Sequence, residues 1–423
     1  VDTPAPAALP RLRVVTREIE PLDDLLPFTT THDPLFWSRR GDTMAAFGTV
    51  HTLRATGAQP AAELSAQWRA LVAAAEVDDA VGVAGTGLIA FGSLAFDAAS
   101  PRGNALIVPD LVVGRRGGRT FATRVALADA AAPPEPELPP RSPFGPHWAA
   151  SLGPGRMTAE TYQEAVRTAV AAIRAQRLDK VVLARDVEGR VPATADLRRL
   201  VRALLTGYPD CWVFAVDGLI GASPETLVTV SGGTLTARVL AGTSARGADE
   251  DADAAAALAL ADSAKDQHEH RFAVRSVLAS LRPHTSALAA GEQPFTLRLP
   301  NVWHLATDIE GVLADRSSSL DLVAALHPTA AVAGTPTAEA LEWIRRLEPF
   351  DRGRYAGAVG WIDADGDGEW AIALRCAQFG PATDDDQRAL TAYAGAGIVA
   401  DSDPEAELLE TRVKFRPIID ALA

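Results

Sequence analysis

Apolar positions along this chain alternate between two periods. Tyr162, Val166, Val170 and Ile173 keep helical spacing, and Thr161 with Glu164 resembles a capping box, so the pattern predicts a helix ending near Arg177. Lys180-Val-Val-Leu-Ala-Arg185 then reads as a strand, followed by a helix to about Leu205. A meander follows through 212–216, 226–231 and 234–239, the last two joined by a turn at Gly232-Gly233. Residues 253–281 read as one long helix or a helix pair, 285–294 as a proline-flanked loop, 320–326 and 337–347 as shorter helices, and 357–378 as a hairpin. Ser402-Asp403-Pro404 signals the start of a last helix. Ahead of residue 127 come short β segments such as 44–52 and 87–96, with an alanine-rich helix at 61–75. Hairpins with helices between them predict an α+β fold with large antiparallel sheets packed together and helices outside. No internal repeat is visible.

Between Ala128 and His147 the composition turns proline-rich, which cannot hold regular structure and reads as an exposed connection. It divides the chain into an N-terminal β-rich part, 1–147, and a second region, 148–423, either as a boundary or as a loop within one fold. The hydrophobic fraction of 48% suffices for a sizeable core, and a net charge of −14 without any basic block argues against nucleic acid as partner. Cys211 and Cys376 stand alone, outside any zinc or disulfide pattern. No apolar run reaches the ~18 residues a membrane span needs, and Val1-Asp2-Thr3-Pro4 lacks the basic and apolar regions of a signal peptide. A cytoplasmic monomer with no membrane partner is the expectation.

Glu407, Glu410 and Lys414 lie three, four and seven apart in the last helix, so their charges share one face. The bland reading is a solvated stripe with an i,i+4 pair. Here, however, Ala394-Gly395-Ala396-Gly397 and a helix N-terminus lie close in sequence, and carboxylates, an ammonium and backbone N–H groups together suggest a metal and an anion. Two other motifs mislead. Asp363-Ala-Asp365-Gly-Asp367-Gly368 imitates half a calcium loop, but Leu374 stands where a bidentate glutamate is required, so it reads as a hairpin turn. Gly395-Ala-Gly397-Ile-Val-Ala400 fits a dinucleotide fingerprint formally, yet only 26 residues follow Gly397, too few for the rest of such a unit. Lys180, Glu225, Glu269, His304 and Arg375 complete the list of polar residues in apolar settings, and each alone has an ordinary structural explanation.

Taken together, these residues resemble the chorismate-utilising enzymes, the family of anthranilate synthase component I, aminodeoxychorismate synthase, isochorismate synthase and salicylate synthase. The resemblance runs from about Thr158 to the C-terminus. It is carried in order by Lys180-Val-Val-Leu-Ala-Arg, Gly221-Ala-Ser-Pro-Glu225, Lys265-Asp-Gln-His-Glu269-His, Trp303-His304-Leu-Ala-Thr, Ala394-Gly-Ala-Gly-Ile-Val and Glu407-Leu-Leu-Glu410-Thr-Arg-Val-Lys414. It implies the anthranilate synthase component I fold and a Mg2+-dependent reaction on chorismate. Lys180, which members that install an amine lack, would be the general base that activates water, and Glu225 the general acid. Glu269, Glu407 and Glu410 would hold Mg2+, and Gly242, His304, Arg375, Gly395, Ala396, Gly397 and Lys414 would bind substrate. No glutaminase subunit is then expected. His327-Pro-Thr-Ala330 and Leu347-Glu-Pro-Phe-Asp-Arg352 resemble isochorismate synthases more than salicylate synthases, and Lys265-Asp-Gln-His-Glu-His resembles members serving catechol siderophores. The resemblance implies isochorismate synthesis by water addition at C2 of chorismate and loss of its C4 hydroxyl, for catechol siderophore (2,3-dihydroxybenzoate) biosynthesis, with salicylate synthesis, or isochorismate supply for menaquinone, as alternatives. For that chemistry Lys180 needs desolvation or a positive neighbour, and Glu225 needs burial or a neighbouring carboxylate to keep its proton.

Overall fold

Burial along the strands separates two environments. Leu12–Glu18 buries every second residue, as a strand with one wet face does, whereas Trp212–Val216, Leu219–Ser223 and Ile89–Ser93 are buried throughout and lie covered on both faces. The computed structural model describes residues 9–130, 135–300 and 302–423. They form a 13-stranded and a 10-stranded sheet, antiparallel except where Leu12–Glu18 meets Glu76–Asp79. Both parts of the chain contribute to both sheets, joined where Leu35–Arg39 pairs with Trp212–Val216 and where Ile89–Ser93 pairs with Ala358–Asp363. The proline-rich connection carries no helix or strand at its described residues; 131–134 lie outside them.

A topological repeat, invisible in the sequence, organises the sheets. In the second region the hairpin Trp212–Val216/Leu219–Ser223 lies in the larger sheet, and the chain then crosses to Thr226–Ser231 in the smaller one. It returns through the hairpin Ala358–Asp363/Gly368–Ile372 and crosses back to Cys376–Ala382 and Gln387–Ile398. Leu35–Arg39, Asp42–Phe47, His51–Ala55, Ile89–Ser93, Asn104–Val108, Leu111–Arg116 and Arg119–Leu127 trace the same route in the first part, with equivalent pairings.

This route explains two departures from the sequence reading. The segment 44–52 is two strands, because the chain changes sheets after Phe47. The hairpin expected over 357–378 ends at Ile372 for the same reason. Elsewhere Thr158, not Thr161, caps the helix Ala159–Arg174, accepting the Thr161 N–H, while Glu164 pairs with Arg167. The expected loop 285–294 contains the edge strand Thr285–Ala290, whose exposed small residues hide its pairing with Val302–Leu313. Residues 253–281 belong to a helix pair, Glu250–Asp262 and Ala264–Leu281, broken where Ser263 caps the second. No helix among the described residues is long and apolar enough to cross a membrane.

Glu369 bolts the layers together. Its carboxylate accepts Trp37 Nε1 at 2.8 Å and Trp361 Nε1 at 3.0 Å and pairs with Arg116 at 2.7 Å, linking the larger sheet of the first part to the smaller sheet of the second. Glu348 and Arg352 serve the larger sheet in the same way. Glu348 Oε1 accepts the Ala184 N–H at 2.8 Å, and Arg352, buried against it, donates to Val182 O at 2.7 Å and Val332 O at 3.0 Å. Both side chains are almost wholly buried, so removing one strands the charge of the other. Glu348→Ala is expected to cost about 3–5 kcal/mol, read as a lower urea midpoint; an unchanged midpoint would show that this pair does not anchor the strand.

Candidate active site

Two chain crossings between the sheets set the centre of a cavity. One passes through Ser223-Pro224-Glu225 and the other through Ala373-Leu374-Arg375, and they are bonded to each other: Ile372 N–H to Glu225 O at 3.1 Å, Ala222 N–H to Arg375 O at 3.2 Å, and Ser223 Oγ to Ile372 O at 2.6 Å. Arg375 takes φ of +50°, an uncommon conformation for a residue with a side chain, held here by that ladder. Its guanidinium is buried, makes no ion pair among the described residues, and has its pKa lowered by that burial. Glu225 is also buried, and neither of its carboxyl oxygens has a hydrogen-bond partner among the described residues. Burial pushes its pKa up to about 8 against the opposing pull of Lys180, Lys414 and Arg375. It is therefore a protonated carboxyl at neutral pH, as a general acid must be.

Lys180 opens the strand Lys180–Pro192 beside Gln387–Ile398. Its ammonium is mostly buried and held by Glu269 from the helix Ala264–Leu281. The neighbour in contact with Lys180 is thus a carboxylate rather than the positive charge the sequence reading allowed for, and Lys180 stands as the cation of an ion pair. Gly397 makes this contact possible, because a Cβ there would lie 2.9 Å from Lys180 Cε and 3.3 Å from Glu269 Oε1.

Val182 and Ala184 send their N–H groups to Ala333 O and Glu348, away from Gln387–Ile398. Their cross-strand partners Gly397 and Gly395 therefore turn their own backbone groups away from this ladder. On that far side the pairing with Cys376–Ala382 stops at Ala392, leaving the backbone groups of Gly395 and Gly397 open to the cavity, while those of Ala396 face Leu183. Gly395 O accepts Lys414 Nζ at 2.9 Å.

On the last helix, Pro404–Leu422, Glu407, Glu410 and Lys414 face this cavity together. Lys414 pairs with Glu410 at 2.5 Å, so the ordinary i,i+4 pair and the functional stripe are the same residues. Glu407 has a pKa pushed up to about 7, first by burial and then by the Glu410 charge. The helix N-terminus is closed to ligands, because Asp403 takes the Glu405 and Ala406 N–H groups itself.

Gly242 sits at a bulge in Thr234–Ala245, with φ of +86° and its Cα hydrogen face 3.1 Å, at the Cβ position, from Asp266 Cβ. The bulge brings Thr243 Oγ1 to 3.0 Å and Gly242 O to 3.4 Å from His304 Nδ1. His304 Nε2 is buried without a partner among the described residues, and burial, with Arg375 and Lys414, pushes the imidazole pKa down to about 3, so the ring is neutral.

Every site residue singled out in the sequence lines this one cavity of about 280 Å³. It also contains Lys265, Asp266 and Arg352, which the sequence motifs include without a role of their own, and Thr243 and Tyr355, which no motif singles out; the Tyr355 ring stacks on Tyr393 at 5.1 Å. Asp266 carried a usable signal, being one helical turn before Glu269. Among the described residues no three acidic, histidine or cysteine side chains converge as a closed metal cluster. The donor set nonetheless fits a hard divalent ion: all oxygen, with a carboxyl at Glu407 short of positive charge, and with Glu269 and Glu410 held by lysines that a cation could replace.

A sequence profile of the family described as chorismate binding enzyme matches residues 7–423. The chain belongs to the chorismate-binding enzyme family. It is 41% identical over 275 residues to the isochorismate synthase DhbC of Bacillus subtilis, covering 62% of this chain and 68% of the relative. It is 33% identical over 446 residues to the salicylate biosynthesis isochorismate synthase of Pseudomonas aeruginosa, covering 98% and 90%. The solved structure of MenF, the menaquinone-specific isochorismate synthase of Escherichia coli, superposes with a TM-score of 0.76 at 26% identity, covering 97% of this chain and 95% of that one.

In a chorismate-binding enzyme the cavity must receive a dianion, and Arg375, Lys414 and the open glycine backbone are the donors present for it. Because Glu225 gives up its proton as pH passes about 8, kcat/KM is expected to fall above that pH. A pH profile that stays flat to pH 9.5 would remove Glu225 as the acid, as would near-normal kcat in Glu225→Gln.

Proposed function

We propose that this protein is an isochorismate synthase. Lys180 and the protonated Glu225 line one cavity, and this juxtaposition of a candidate base and a ready acid carries the reading. Lys180 takes a proton from water as the water attacks C2 of chorismate, the ring double bonds shift, and Glu225 protonates the C4 hydroxyl as it leaves. Atoms balance, since one water enters and one departs, and no redox cofactor is required. Arg375, Lys414 and the Gly395–Gly397 backbone hold the carboxylates, and neutral His304 forms a polar wall with Nε2 free for substrate. Water as nucleophile makes a glutaminase subunit unnecessary.

Glu269 and Glu410, with Glu407 beside them, are the residues that would hold Mg2+. When bound, the ion supplies a counter-charge to these carboxylates and to the ring carboxylate of the substrate. The carboxylates assigned to it are those that now hold Lys180 and Lys414, so a cation bound there would release both lysines from their ion pairs. The isochorismate-forming step is common to siderophore and menaquinone supply.

Purified protein incubated with chorismate and Mg2+ is expected to give isochorismate without salicylate or pyruvate, and nothing with EDTA. Salicylate with pyruvate would establish a salicylate synthase instead, and unchanged chorismate a silent binder. In the same assay Lys180→Ala should abolish turnover while chorismate still binds, and retained turnover would remove Lys180 as base. Glu269→Ala or Glu410→Ala should raise the Mg2+ needed for half-maximal rate by about tenfold or more; an unshifted titration would disqualify them as ligands.

A further inference from the structure

A general acid works only if the oxygen that carries its proton faces the leaving group, and nothing in the catalytic cavity fixes which Glu225 oxygen that is. Glu225 borders a second space, of about 10 Å³, walled mainly by Leu227, Val239, Ala273 and Val277. That volume is about what one water occupies, roughly 10–15 Å³. Of the polar residues around it, Thr226 is already bonded to Trp212 Nε1 at 2.9 Å, and Arg238 to Asp308 at 2.6 and 2.8 Å. Thr329 is different. It is 8% exposed, its Oγ1 has no hydrogen-bond partner among the described residues, and it lines this space together with Glu225. A buried hydroxyl left unpaired costs about 1–3 kcal/mol, and so in native proteins such a group nearly always has a partner.

We propose that a single buried water fills this space, held by Thr329 Oγ1 and donating to one carboxyl oxygen of Glu225, so that the other oxygen carries the acidic proton towards the substrate. Thr329 is then a positioning residue for the acid, acting from outside the catalytic cavity. The role in catalysis rests on the isochorismate synthase reading; the water site itself does not.

Thr329→Val keeps the shape and removes the hydroxyl. The expected result is a kcat about tenfold lower with KM little changed, because a misaimed acid slows the chemical step without weakening binding. The alkaline limb of the pH profile should also move up, since the carboxylate loses a donor that favours its charged form. Thr329→Ser should restore both. Wild-type kcat and pH profile in Thr329→Val would overturn the proposal, and so would Thr329→Ser failing as badly as Thr329→Val, which would assign Thr329 to methyl packing. Infrared spectroscopy gives a readout independent of turnover: the protonated-carboxyl band lost in Glu225→Gln should shift to higher frequency in Thr329→Val. A shifted band in a protein that makes no isochorismate would sustain the water site and defeat the functional reading, whereas an unshifted band would defeat the water site.

Discussion

The site depends on the chain changing sheets twice at one place. A strand that stays in its sheet turns side chains alternately to its two faces, each either packed or wet, and neither face offers a buried, polar, ligand-sized space. At 223–225 and 373–375 the backbone leaves one sheet for the other, and the two crossings satisfy each other's hydrogen bonds, so the interior there needs no extra partners. Glu225 and Arg375 project from these crossings into the gap that opens between the sheets. The same route exists in the first part of the chain around 48 and 110, but there Asp110 is paired with Arg124. One topological device thus carries opposite side-chain choices, a matched pair in one half and an unpartnered acid and arginine in the other.

Charges around the second crossing come in compensating sets. Lys180 sits on Glu269 and Lys414 on Glu410, while Arg375 and Glu407 have no opposite charge in contact among the described residues. In the proposed reaction a chorismate-sized dianion would bring what Arg375 lacks, and a bound divalent cation would bring what Glu407 lacks. Each surplus alone would be costly to bury, and the two ligands together change the net charge of the cavity little. This favours binding of the two as a set.

Legibility in the sequence followed the range of the underlying interaction. Glu407, Glu410 and Lys414 could be placed on one face because helical period is local, and the structure puts them there. The strand starting at Lys180 and the last helix were legible for the same reason. Glu225 and Arg375 could not be joined by spacing: their meeting rests on the pairing of Leu219–Ser223 with Cys376–Ala382, and only the motif resemblance brought them into one list. The repeat in topology left no trace because it constrains pairing order, not residue identity. Errors at 44–52 and 357–378 have one cause, since a continuous apolar run does not record which sheet its residues join. Thr161 and Glu164 fit the capping-box pattern, whereas Thr158, with Thr161 three residues on, caps the helix by its own side chain without a box.

Contact, more than the number of charges nearby, decides protonation here. Glu225 feels three cations, Lys180, Lys414 and Arg375, yet burial outweighs them and the carboxyl keeps its proton. At an effective dielectric of about 20, a unit charge at 4 Å contributes about 4 kcal/mol and one at 8 Å about half that. Full desolvation shifts a carboxyl by up to 3–5 pKa units, roughly 4–7 kcal/mol. Lys180 and Lys414 also have carboxylate partners of their own, Glu269 and Glu410, which offset their charges. The ion pairs that hold Lys180 and Lys414 thus also temper their pull on Glu225, and its protonation is linked to the partners of the two lysines.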